Sequence, residues 1–241
     1  METTLALMPR FFGWADISAV VLFLVAWNGM TWLVENPPAS RPSVHKIMAA
    51  HRLTWMQAML HREPRIMDAS LLNALRSGCA FFASGCMIAI GGVVALLGQA
   101  DRLATVAHDL RLDTAMSRAG WEAKLLVLAL VLVSAFMKFV WAHRLFGYCA
   151  VLMGAIGSDP ADPRNLALAR KAAAININAA RNFNRGMRTT YFSLALLTWL
   201  LGAIPLALAT LATVLSLYRR EFRSASRDAL LAEDEPPVPG S

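Results

Sequence analysis

The sequence has few of the residues on which most enzymes and metal sites are built. Its three cysteines form no CxxC pair, so neither a zinc site nor a redox pair is indicated. The five histidines show no metal-ligand spacing. HExxH, GxxxxGK[ST], GxGxxG and GxSxG are all absent. The chain therefore lacks the common signatures of zinc hydrolases, nucleotide-binding proteins and serine hydrolases, and we expect no cofactor, no metal and no catalytic residue.

Charge is also scarce, since only 16% of the 241 residues are charged and 57% are hydrophobic. The mean hydropathy is +0.48. The apolar residues fall in four blocks with the charges between them, which predicts an all-α, polytopic membrane bundle. The net charge of +7 is then expected in cytoplasmic loops facing anionic lipid headgroups, and we expect no nucleic-acid partner.

The four blocks predict four membrane spans within a single domain of residues 1–227. A polar tail, 228–241, is rich in proline and is expected to be disordered. The third block, 124–158, is too long for one span, and the sequence leaves open whether it forms one helix or a broken one. Pro205 is expected to kink the fourth span. The predicted spans are about 14–34, 78–97, 121–142 and 190–218.

Amphipathic helices are predicted in the first and third loops. Ser43 is a candidate N-cap for a helix that ends near Glu63-Pro64. Asp162 and Pro163 are placed as N-cap and first residue of a helix that leads through Arg188 into the fourth span. Both helices are basic, so we expect them to lie at the cytoplasmic face.

The distribution of Lys and Arg favours one orientation of the chain by a small margin. The first and third loops carry six each, the second loop three and the N-terminus one. These numbers favour cytoplasmic first and third loops, with both termini outside. However, four arginines in the tail, between 219 and 227, would then also lie outside.

Polar residues inside or beside the apolar blocks are the candidate ligand site. Lys138 interrupts the third block, where a cation is costly, and Glu35 is its expected partner. On the following basic helix, four residues at i, i+3, i+4 and i+7 share one face that could bind phosphate, carboxylate or lipid headgroups, or bond internally. The candidate residues are Lys138, His143, Arg144, Asn178, Arg181, Asn182 and Arg185.

A stripe of small residues marks the second span. Gly78, Gly85 and Gly92 repeat every seven residues, with Ala89 on the same face. Small residues in register allow two helix backbones to approach closely in lipid. The stripe predicts a helix–helix interface, either within one subunit or between subunits of a homo-oligomer.

Several runs resemble the bacterial membrane-protein family known as "domain of unknown function 599", from about residue 5 to 227. The resemblance implies a multi-pass protein of the bacterial inner membrane, and it implies no activity. The runs that carry it are FFGWAD (11–16), REPRI (62–66), FFAS (81–84), KFVW (138–141), RLFGY (144–148), FNRGMR (183–188) and YRREFRS (218–224).

Three functions remain open from the sequence. The first is a non-catalytic, self-associating membrane module whose basic cytoplasmic face meets anionic lipid or a partner. The second is an oligomeric channel or small transporter with a polar pathway near Lys138. The third is an enzyme that acts on a lipid, for which Glu63 and Asp68 with His61 and Arg65 are the one sequence-local group.

Overall fold

The computed structural model describes residues 12–99, 102 and 116–232, and throughout these ranges the regular structure is helical. Two 3₁₀ turns, Met59–His61 and Thr198–Leu201, interrupt the order of the α-helices. The predicted all-α class is therefore confirmed. The helices are α1 (Trp14–Glu35), α2 (Val44–Ala58), α3 (Ile66–Leu97), α4 (Arg118–Gly154), α5 (Pro163–Leu197), α6 (Ala203–Phe222) and α7 (Ala225–Leu231).

Side-chain caps begin the two loop helices where the sequence predicts them. The Ser43 hydroxyl accepts a hydrogen bond from the Lys46 backbone at the start of α2. The Asp162 carboxylate accepts one from the Arg164 backbone, with Pro163 as the first residue of α5. Each cap satisfies a backbone N–H that has no partner within its helix. α2 ends at Ala58 and continues as the 3₁₀ turn, close to the predicted end.

Three helices, α1, α3 and α4, are long and apolar enough to cross a membrane. They correspond to the first three predicted spans. α4 is continuous over 37 residues, so the third block forms one helix rather than a broken one. At 1.5 Å per residue α4 is about 55 Å long, which exceeds a hydrocarbon core of about 30 Å. α4 is therefore longer than one crossing of such a core requires.

The fourth predicted span is not one kinked helix, and that prediction is wrong. α5 ends at Leu197, a 3₁₀ turn follows, and Gly202 adopts φ 122°, which favours glycine. α6 then runs back along α5. This direction is shown by Arg220, near the end of α6, which donates a 3.3 Å hydrogen bond to the Tyr191 hydroxyl of α5. Pro205 lies in the first turn of α6, where its missing N–H removes no helical bond.

The turn determines which helix ends lie together. Ser43, just after α1, donates to the Val34 carbonyl, and Glu221 near the end of α6 accepts from the His45 backbone. Arg65 at the start of α3 donates to the carbonyl that follows α4 at Ile156. We call this the basic end: the loop and α2 after α1, the start of α3, the end of α4, the start of α5 and the end of α6.

Buried side chains form two main clusters along the helices. One cluster runs along α1, α4, α5 and α6 and includes Phe23, Leu125 and Phe192. The cluster near the basic end is rich in small residues and methionine, from α2 to α5. Between them, Gly186 of α5 lies so close to the Phe139 ring that an added Cβ would come within 2.7 Å. This close approach joins α4 to α5.

The C-terminal segment departs from the expected disordered tail. Ala225–Leu231 forms α7, capped by Ser224, so the first part of the predicted tail is helical. The rest of the tail, 233–241, and most of the predicted second loop lie outside the described residues.

Candidate functional site

A carboxylate at the end of α1 meets two arginines of α5. Both Glu35 oxygens accept hydrogen bonds from Arg185, with 2.7 Å to its Nε, and Oε1 also accepts from Arg188 Nη2 at 2.7 Å. Arg185 and Arg188 are three residues apart and share a helix face. A carboxylate is unfavourable beside the carbonyl end of a helix, so the two guanidinium groups offset both this repulsion and the cost of burial.

Helices α2 and α6 join the same cluster through His45 and Glu221. The Asn184 side-chain nitrogen lies 3.1 Å from His45 Nδ1. Glu221 Oε2 accepts a 3.2 Å hydrogen bond from the His45 backbone nitrogen. We call Glu35, His45, Asn184, Arg185, Arg188 and Glu221 the Glu35 cluster.

Burial controls the titration of His45, the group that α2 contributes. Burial and the nearby charge of Arg188 together lower the pKa of His45 to about 4, while the charge of Glu35 opposes that shift. A neutral imidazole is consistent with Nδ1 accepting from the Asn184 amide. The cluster is therefore a mixed network with a neutral histidine at pH 7.

The chemistry of the Glu35 cluster favours structure over catalysis. Its two carboxylates hydrogen-bond to arginine or backbone donors rather than to a nucleophile. Among the residues that the structure describes, no group of three His, Cys, Asp or Glu side chains could hold a metal ion. A cavity of about 240 Å³ lies beside the cluster, with His45, Arg52, Asn184 and Glu221 in its wall. The arrangement links four helices and places polar groups next to a small cavity.

Lys138 lies between α1, α4 and α5, but not with its expected partner. Its Nζ lies 2.6 Å from the Ser134 hydroxyl and 3.1 Å from the Thr189 hydroxyl. The Trp27 ring centroid is 5.3 Å away, which allows a cation–π interaction. The expected Lys138–Glu35 pair is not formed, because Glu35 binds Arg185 and Arg188 instead.

The remaining candidate polar residues are spread along two helices. Arg144 is exposed and contacts Tyr148 one turn on, at 2.6 Å, and His143 is half-buried beside it. On α5, Asn178 and Arg181 are exposed, and the half-buried Asn182 donates to the Asn178 carbonyl. Of the predicted polar residues, Arg185 is the one that the Glu35 cluster includes.

The stripe of small residues faces away from the rest of the chain. Gly85, Ala89 and Gly92 are exposed and Gly78 is half-buried. A Cβ added at any of these three glycines would have no described neighbour within 4 Å. The residues that α3 packs towards α4 are the neighbouring ones, such as Cys79 and Cys86. Packing among the described residues therefore does not use the stripe, and an interface between copies stays a prediction.

Sequence reasoning missed a second buried ion pair at the end opposite to the basic end. Trp199 Nε1 donates to Asp16 at 2.7 Å, and Lys124 Nζ donates to the Trp199 carbonyl at 3.0 Å and lies 3.7 Å from Asp16. Lys124 is 2% exposed. Asp16 and Lys124 are each the charge nearest the start of an apolar block. That shared position was the sequence signal that could have predicted the pair. This pair fixes the α5–α6 turn against α1 and α4.

Removing the charge of Glu35 is expected to destabilise the fold strongly. Glu35→Gln leaves Arg188, which is 3% exposed, without its carboxylate, and breaking a buried ion pair typically costs about 3–5 kcal/mol. The matched control is Glu122→Gln, which breaks an exposed i,i+4 pair with Arg118 worth about 0.5 kcal/mol. Thermal unfolding in detergent measures both. Equal shifts in Tm for the two variants would contradict the role assigned to Glu35.

Acid is expected to destabilise the protein through His45. Its folded pKa, about 4, lies below the ordinary value of 6.5, so the unfolded chain binds the proton more tightly. This contribution is complete above pH 6.5 and is lost as the pH falls towards 4, by at most about 3 kcal/mol. Unfolding of wild type and His45→Gln should be compared from pH 7.5 to 4. If His45 is buried as described, the variant shows the shallower pH dependence, whereas parallel curves refute the assignment.

Comparison with known proteins places the chain in a family without giving it an activity. No curated protein and no solved structure matches it. A family model described as "Protein of unknown function, DUF599" matches residues 18–226, which include α1 after its first turn and every later described helix through the start of α7. That match covers most of the chain and agrees with the resemblance found in the sequence runs. The protein therefore belongs to the DUF599 family, as a helical bundle with helices apolar enough to span a membrane.

Proposed function

We propose that this protein is a non-catalytic, self-associating module of the bacterial inner membrane, which crosses the bilayer five times and contacts anionic lipid through its basic end. The five passes are α1, α3, α4, the last part of α5 and α6. The observation that carries the proposal is the turn at Thr198–Gly202, which returns the chain to the basic end.

The turn removes the conflict in the distribution of basic residues. With four spans, the four arginines of 219–227 would lie opposite to the basic loops. With α5 and α6 antiparallel, they join the six basic residues of the first loop and the six of the third, sixteen in all. The N-terminus and the second loop carry one and three. This asymmetry supports a cytoplasmic basic end and an extracytoplasmic turn.

Exposed side chains fit the same placement. Large apolar side chains on the outside of α3 and α6, such as Phe81, Ile88 and Ile204, are exposed in the single chain. Apolar surface of this extent would be covered by lipid or by another copy. Arg41, Arg219 and Arg223 are exposed at the basic end, where anionic headgroups would meet them.

The channel alternative gains no support from the surroundings of Lys138. Its ammonium group meets two hydroxyls and an indole ring, next to the tight contact of Phe139 with Gly186. The polar pathway therefore stays a sequence-based prediction.

Cysteine labelling distinguishes five passes from four. Ser226→Cys reports the basic end and Gln99→Cys the opposite end, and both positions are exposed. In intact cells, a membrane-impermeant maleimide should label Gln99→Cys, and it should label Ser226→Cys only after permeabilisation. Wild type is the control, because its three cysteines are buried. Labelling of both variants in intact cells would instead indicate four spans with both termini outside.

Self-association is expected to depend on the exposed face of α3. Gly85→Leu places a large side chain on the stripe of small residues, without meeting any described neighbour within its own chain. Native mass spectrometry of gently extracted protein should show an oligomer for wild type and a monomer for this variant. The control is Ala80→Leu, an exposed position on another face of α3. A wild-type monomer, or an oligomer insensitive to Gly85→Leu, would remove the stripe from the proposal.

A further inference from the structure

A cavity that the Glu35 cluster does not include lies at the basic end, between the start of α3 and the end of α4. Its volume is about 300 Å³. Its wall combines the apolar side chains of Met59, Leu72 and Met153 with the polar side chains of Arg65, Asn73 and Arg76. Among the residues that the structure describes, no acidic residue lines the cavity. Two positive charges therefore face one small space without a lining carboxylate.

Both arginines retain a donor that the protein does not use. The Nε atoms of Arg65 and Arg76 are buried, and neither has a hydrogen-bond partner among the described residues. A buried donor left unpaired costs free energy, more so on a charged group. Both guanidinium groups belong to residues that line one cavity, and the chain leaves part of their donor capacity unused.

Arg65 is held in place by the chain beyond α4. Its Nη1 and Nη2 donate to the carbonyls of Ile156 and Gly157 at 2.7 and 2.8 Å. These bonds fix the plane of the guanidinium group while Nε stays unused. A pre-positioned arginine binds an oxyanion without the entropic cost of ordering its long side chain.

We propose that this cavity binds a phosphate group that carries an apolar portion, with Arg65 and Arg76 on the phosphate oxygens and Asn73 beside them. Arginine is suited to phosphate because its planar N–H donors match the oxygen geometry. The cavity exceeds the size of a bare phosphate, and Met59, Leu72 and Met153 would contact the apolar portion. The inference deepens the proposed function, because it assigns one defined site to the contact with anionic lipid.

The position of Arg76 fits the headgroup depth of a phospholipid. Arg76 directly precedes the uncharged part of α3, which begins at Ser77. In the proposed topology, the cavity lies where the apolar layer meets the cytoplasm. A phospholipid headgroup and a soluble organic phosphate offer the same oxyanion, so the experiment must separate the two sources.

The test measures the Tm of purified protein in a neutral detergent at constant ionic strength. The probes are dihexanoyl phosphatidylglycerol, dihexanoyl phosphatidylcholine, glycerol 3-phosphate and inorganic phosphate. We expect saturable stabilisation by phosphatidylglycerol and little by phosphatidylcholine. In Arg76→Gln the half-saturating concentration should rise at least tenfold, because one charge-assisted contact is lost. Arg170→Gln, an exposed position on α5, is the charge-matched control and should behave as wild type.

Each other outcome has a definite meaning. Saturable, Arg76-dependent stabilisation by glycerol 3-phosphate or inorganic phosphate alone would support the site and identify a soluble phosphate as its source. An equal loss of stabilisation in Arg76→Gln and Arg170→Gln would show that the effect depends on overall charge, and it would overturn the site. The absence of stabilisation by any probe would also overturn it.

A second variant keeps the proposal testable if Arg76→Gln does not fold. Asn73→Asp changes an exposed side chain of the cavity wall and places a carboxylate where it competes with an added anion. It should also abolish the saturable response, and a retained response would overturn the site. The measurement uses detergent solution and does not depend on the number of spans. A wrong topology would therefore appear in the labelling experiment alone.

Discussion

The contact of Glu35 with Arg185 and Arg188 sets the depth at which α1 meets α5. Glu35 ends α1, so α5 must present its two arginines at that level. Arg188 precedes Thr189, and Thr189 meets Lys138 of α4. On the other side, His45 and Glu221 bring α2 and α6 to the same place. A buried charge network tolerates little displacement, because any shift leaves a guanidinium group unpaired. The register of α1, α2, α4, α5 and α6 therefore depends on this one carboxylate.

A second ion pair, Asp16 with Lys124, secures α1, α4 and the α5–α6 turn at the opposite end. Asp16 and Glu35 are nineteen residues apart on α1, or about 28 Å along its axis. That separation is close to the thickness of a hydrocarbon core of about 30 Å. The two polar contacts thus bracket an apolar length that suits a bilayer, and the α5–α6 turn lies beside one of them through Trp199.

Local signals in the sequence were sufficient for much of the fold and for little of the site. Ser43 and Asp162 allowed two helix starts to be predicted, because an N-cap hydrogen bond involves only residues that are close in sequence. The turn at Thr198–Gly202 could not be predicted in the same way, because an uncharged run of residues does not show where the chain reverses. Pro205 suggested a kink a few residues after the real turn. Helical spacing placed Arg181 and Arg185 on one face. Only tertiary packing decides that Arg185 turns to Glu35 while Arg181 stays exposed.

The arginines with buried, unpaired donor atoms fall into two kinds that differ in their surroundings. Arg188 also has unpaired donors, Nε and Nη1, yet Glu35 binds its Nη2 and the carboxylate of Glu221 acts on its charge. The carboxylates within the chain therefore balance its charge. Arg65 and Arg76 line a cavity in which the described residues include no acidic side chain. Unused donors are common to both places, but uncompensated charge beside open space occurs at the α3–α4 cavity. That difference supports a structural role for the Glu35 cluster and the ligand-binding role that we propose for the cavity.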